Sequence, residues 1–166
     1  MTAATVSFNH AHDLPRFAAA GVPVLVDRMK QIVGPGNVLT QKADLAVYEC
    51  DGFTIDKNTP DVVVFPNSTE EVAAVVRACN ELDVPFVARG AGTSLAGGCV
   101  PVGGGVMIGT ARMKKILEVN VRDRYAVVEA GVVEELKVAA LAGMSNPRDR
   151  FPRTNRERWW PGRWKS

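Results

Sequence analysis

Arg89-Gly-Ala-Gly-Thr-Ser-Leu-Ala-Gly-Gly98 follows directly on the strand-like run Val84-Pro85-Phe86-Val87-Ala88, and Gly103-Gly104-Gly105 comes soon after. No helix survives that glycine density, so the chain must leave a strand into a long loop and enter the next strand from it. Glycines let successive backbone N–H groups turn inward together, and a concave row of N–H donors forms a cradle for a diphosphate. Two familiar phosphate loops are excluded. Gly90-Ala91-Gly92 is followed by Thr93-Ser94-Leu95, so the third glycine of a Gly-x-Gly-x-x-Gly fingerprint is absent. No Gly-Lys-Ser/Thr occurs either. What remains is a glycine-rich loop between strands, with the Thr93 and Ser94 hydroxyls available to phosphate oxygens; the bland alternative is a plain connection.

The 166 residues suffice for one domain with a real core, or for one lobe of something larger. Val24 to Val33 sets Leu25, Met29, Ile32 and Val33 at helical spacing, and Gly34-Pro35-Gly36 stops that helix. Lys42 to Thr59 reads as loop with a short helical turn. Val62 to Phe65 is a short buried strand closed by Pro66. Ser68-Thr69-Glu70-Glu71 then has the form of a capping box, Ser68 being the N-cap and Glu71 reaching back. The helix behind it aligns Val72, Val75, Val76, Cys79 and Leu82. After a turn at Asp83 comes the strand Val84 to Ala88, and a parallel pairing of these two strands through a right-handed crossover is expected. Val106 to Gly109 is strand-like, Lys115 to Val119 and Tyr125 to Glu129 predict a hairpin, and Glu134 to Ala142 predicts a helix.

In motif content and order the chain resembles the FAD-linked oxidases of the vanillyl-alcohol-oxidase type. Within them it is most similar to the glycolate oxidase flavin subunits and D-lactate dehydrogenases. The likeness runs from about Val24 to Val133. It includes Tyr48-Glu49-Cys50-Asp51-Gly52, Pro66, Val84 to Gly98, Ala111-Arg112-Met113 and Ala130-Gly131-Val132. The resemblance implies an α+β fold, the first lobe of a PCMH-type FAD-binding domain. It implies FAD with its diphosphate against the amides of Gly90, Ala91, Gly92, Thr93 and Ser94, and Gly98 and Cys99 closing the far side. Arg89 has two readings, an offset to phosphate charge or a partner of a surface carboxylate. The reaction implied is hydride transfer from a small D-2-hydroxy acid to FAD, with other subunits of a glycolate-oxidase-like complex as partners.

The likeness breaks near Met144. The second FAD lobe, the substrate cap and the family's catalytic residues are expected to be missing, so no catalytic residue is assigned. From Arg148 onward lie seven basic residues, two acidic ones and all three tryptophans, whereas residues 1–147 carry a net charge of −3. Trp159-Trp160-Pro161 can be encoded only as TGG-TGG-CCN, which one base on reads Gly-Gly; the same shift of Asn155 to Arg158 permits Thr-Ala-Ser-Val. The resulting string resembles an Ile-Gly-Gly-Asn flavin contact of the family. The expected organisation is therefore a loose lead-in over 1–22, a partial FAD-binding domain over 23–143, and an aberrant, frameshifted tail over 144–166. Such a fragment is expected to be inactive alone, to bind FAD weakly or not at all, and to self-associate through an unpaired sheet edge.

A second reading makes the chain a non-catalytic nucleotide- or partner-binding module whose basic tail contacts nucleic acid or an acidic partner. The tail lacks helical spacing, which favours a solvated segment. Cys50, Cys79 and Cys99 show neither a disulfide framework nor a CxxC pair, and read as reduced thiols. His10 and His12 have only Asp13 beside them, so no metal site is expected. With no signal peptide and no apolar run near ~18 residues, a cytoplasmic chain without a membrane span is expected.

Overall fold

A computed structural model describes residues 21–55, 57–120, 123 and 125–133. Residues 1–20 of the lead-in expected over 1–22, with His10 and His12, the helix expected at Glu134 to Ala142 and the basic tail lie outside them. Two compact units meet in sequence between Met113 and Lys114.

The first unit begins with α1 (Val22–Val33), in which Leu25, Met29 and Val33 are buried. Gly34, at φ 83°, ends it and donates its N–H to Lys30 O. A 3₁₀ turn (Pro35–Asn37) leads into β1 (Val38–Leu39), followed by α2 (Lys42–Ala46). β2 (Val62–Val64) precedes α3 (Thr69–Glu81), and β3 (Phe86–Arg89) and β4 (Val106–Gly109) complete the sheet.

The Ser68 hydroxyl accepts the Glu71 N–H at 3.3 Å, as an N-cap should. The return bond is shifted by one residue: the Glu71 carboxylate takes the Asn67 N–H at 2.8 Å. Along α3 the buried positions are Val75, Ala78 and Cys79, while Leu82 is the C-cap and is 37% exposed.

Strand order is β1-β2-β4-β3, with β4 parallel to both β2 and β3 and β1 antiparallel to β2. The expected direct pairing of β2 with β3 is therefore wrong. The strands are parallel, but β4 occupies the slot between them, Met107 standing level with Val63 on one side and Val87 on the other. The central strands are buried on both faces, which explains their unbroken apolar runs. Val62, Val64, Val106 and Ile108 face α1 and α3; Val63 and Met107 face Leu45 of α2 together with Tyr48 and Phe65.

The second unit contributes a hairpin, β5 (Ile116–Asn120) with β6 (Tyr125–Val128), antiparallel and bulged between Ile116 and Glu118. Among the described residues no helix is long and apolar enough to cross a membrane.

Candidate functional site

β3 and β4 are parallel, so the chain that leaves β3 after Arg89 runs back along the sheet to enter β4 at Val106, and this return forms the glycine-rich loop. Gly92 and Gly97 adopt φ of 71° and 68°, and Gly103, Gly104 and Gly105 are also positive. At its far end the loop is tied to the start of β2: Gly105 donates to Asp61 Oδ2 at 2.6 Å, and Asp61 donates its N–H to Gly105 O at 2.9 Å.

Some of the loop's backbone donors are engaged within the fold and others are not. Ala96 donates to Ser94 Oγ at 3.3 Å, Gly97 to Asp51 Oδ2 at 2.9 Å and Val100 to Gly97 O at 3.0 Å. The N–H groups of Ala91 through Leu95, and of Gly98 and Cys99, are donated to no other described residue. Residues 93–96 are exposed, and Cys99 is buried. Backbone N–H groups demand partners, so a run of unengaged donors in a glycine loop suits an anion rich in acceptor oxygens.

The loop rests on the segment Tyr48 to Gly52. Ideal Cβ placement at Gly52 would lie 2.9 Å from Ser94 O and 3.1 Å from Thr93 O, so those carbonyls face Gly52. In a planar trans peptide the N–H points opposite to the C=O. The N–H groups of Ser94 and Leu95 thus point away from the supporting segment. Leu95 is a donor that sequence reasoning missed, because only the packing on Gly52 reveals its direction.

Arg89 is paired to no carboxylate among the described residues. Its Nη1 donates to Cys50 O at 2.8 Å and lies 3.5 Å from Cys99 Sγ, and its guanidinium carbon sits 5.5 Å from the Tyr48 ring centroid. The guanidinium also presses against Gly92, where a Cβ would collide with it. A fixed positive charge therefore lies directly against the loop backbone. On the loop's far side, a cleft of about 340 Å³ is lined by residues of β3 and by Gly97, Gly98, Val100 and Pro101. No group of three His, Cys, Asp or Glu suited to a metal occurs among the described residues.

The family described as FAD binding domain matches residues 60–147, more than half of the chain. The chain belongs to this FAD-binding family. Glycolate oxidase subunit GlcD of Escherichia coli (strain K12) is 42% identical over 99 residues, covering 59% of this chain and 20% of that protein. D-2-hydroxyglutarate dehydrogenase of Stutzerimonas stutzeri (strain A1501) is 40% identical over 111 residues, 67% of this chain and 24% of that enzyme. The chain thus spans a quarter or less of the length of these two relatives. Among solved structures, 4-ethylphenol oxidase from Gulosibacter chungangensis in its isoeugenol complex superposes with a TM-score of 0.67 at 28% identity, over 76% of this chain and 25% of that one. p-Cresol methylhydroxylase with substrate bound shares the fold, with a TM-score of 0.66 at 23% identity over 78% and 26% of the two chains. FAD is the cofactor of the family.

Proposed function

We propose that residues 89–99 form one wall of an FAD site, the amides of Gly90, Ala91, Gly92, Thr93 and Ser94 receiving the diphosphate and Gly98 and Cys99 bounding its far side. The observation that carries this reading is the run of N–H groups from Ala91 to Leu95 that no described residue accepts, beside an Arg89 guanidinium paired to no carboxylate among the described residues. Bound FAD supplies a two-electron acceptor. The part of this chain is to hold and orient the diphosphate through backbone donors, which read charge without a side chain and cost no reorganisation. Cys99 contributes through its backbone, since its thiol lies beside Arg89.

We further propose a small D-2-hydroxy acid as the substrate class of the whole enzyme, supported by the names of the two relatives. A polypeptide of these 166 residues alone is proposed to be catalytically silent and to hold FAD weakly, because it corresponds to 20–24% of those relatives. Association with further subunits follows the naming of the first relative as a subunit, and three free thiols favour a reducing compartment such as the cytoplasm.

An ¹⁵N-labelled chain titrated with FAD tests the site. Progressive shifts confined to the amides of residues 90–99 are expected; their absence while other amides move would overturn it. A dye-reduction assay with glycolate and D-lactate is expected to stay at background, and turnover would overturn the silent reading.

A further inference from the structure

We infer that Asp51 is a positioning residue of the diphosphate loop, an inference that rests on the proposed FAD site. Asp51 is the one buried charged side chain among the described residues, at 5% exposed. A buried carboxylate is costly unless its oxygens are hydrogen-bonded. Here each oxygen has its own backbone donor: Oδ1 takes Phe53 N–H at 2.8 Å, and Oδ2 takes Gly97 N–H at 2.9 Å across 46 residues of sequence.

These bonds are placed where they fix the loop. Cys50, the preceding residue, binds Arg89 at the loop's entrance through its carbonyl, and Gly52, the following residue, lies under the Thr93 and Ser94 carbonyls. Three consecutive residues therefore hold the first half of the loop, at Arg89, at Thr93 and Ser94, and at Gly97. Asp51 also decides which donors remain. By engaging the Gly97 N–H it directs that peptide inward, while the amides of 91–95 stay unengaged. A carboxylate aimed at an anion would repel it. This one is buried and spent on two N–H groups, so it organises the cradle without entering it.

The test compares wild type, Asp51→Ala and Asp51→Asn in the full chain, by amide hydrogen exchange and by FAD titration followed on the same amide signals. Asn can accept one of the two N–H bonds, but its NH₂ then faces the other donor. Loss of a charge-assisted hydrogen bond is expected to speed Gly97 exchange by about tenfold or more in Asp51→Ala, with amides of β2 and β4 unchanged. The FAD concentration for half-saturation is expected to rise by a similar factor, and Asp51→Asn to fall between the other two. Unchanged Gly97 exchange and unchanged FAD response would overturn the inference, as would equal loosening of the whole sheet. If Asp51→Ala does not fold, Asp51→Asn, close in shape to the native side chain, decides by the same readouts. Should FAD leave the wild-type loop amides unmoved, the FAD reading fails, and Gly97 exchange still decides whether Asp51 fixes the loop.

Discussion

At the scale of single residues, Arg89 and Gly92 act as a pair. The guanidinium must lie flat against a backbone with no Cβ to reach Cys50 O and the Tyr48 ring together. Gly92→Ala places a methyl group against that guanidinium and strains a residue at φ 71°, so Arg89 is expected to leave Cys50. The expected outcome is a loss of about 1–2 kcal/mol in urea denaturation, from the left-handed backbone alone, together with weaker FAD binding in a titration followed by flavin fluorescence. Arg89→Lys should weaken FAD similarly, because an ammonium cannot both stack and donate in a fork. A fluorescence titration matching wild type would contradict this. Cys79 provides a separate check. Burial beside α1 and the sheet pushes its thiol up to about 11 from the ordinary 9.0. At pH 8 only about one thiol in a thousand is then ionised, so iodoacetamide should label Cys50, which is half-buried, and leave Cys79 untouched by mass spectrometry in the folded chain. The fold favours the neutral Cys79 thiol, so its contribution to stability is full below pH 9 and is lost as pH climbs toward 11.

At the scale of elements, the best-defined local signal is the start of α3. Ser68→Ala removes the acceptor for the Glu71 N–H and is expected to cost about 1 kcal/mol, read as a lower denaturation midpoint with unchanged slope. A loss near zero would mean that the Glu71 to Asn67 bond alone secures the turn. This end of the helix was legible because both partners lie within five residues. β2, β4 and the β5–β6 hairpin were legible for a similar reason, since apolar runs and turn residues are local. The slot taken by β4 was not, because insertion between β2 and β3 depends on where the loop from Gly90 to Gly105 returns the chain, and the Asp61 bond that ties it spans 44 residues. The candidate site divides in the same way. The glycine loop announces itself by composition, whereas Asp51 and Gly52 brace it across the fold and carry no spacing that reveals the role.

At the scale of the whole molecule, the sheet order among the described residues leaves β1 and β3 at the edges, and the two differ in hazard. β1 is two residues long, too short to template much pairing. β3 has four residues with an alternating half-exposed pattern, and Phe86 at its start is 43% exposed. Among the described strands β3 pairs only with β4, and an edge strand that starts on an exposed aromatic favours pairing with a second chain. We therefore expect a polypeptide of these 166 residues to associate in a concentration-dependent way, seen as a rising sedimentation coefficient between dilute and concentrated samples. Phe86→Lys places a charge on that edge without emptying the core, since Phe86 belongs to neither buried cluster. It should shift the chain back toward monomer with little change in thermal midpoint. A wild-type chain that stays monomeric throughout, or association indifferent to Phe86→Lys, would locate the sticky surface elsewhere. The exposed Leu117 and Val127 of the hairpin, at 62% and 43%, would then be the surface to charge next.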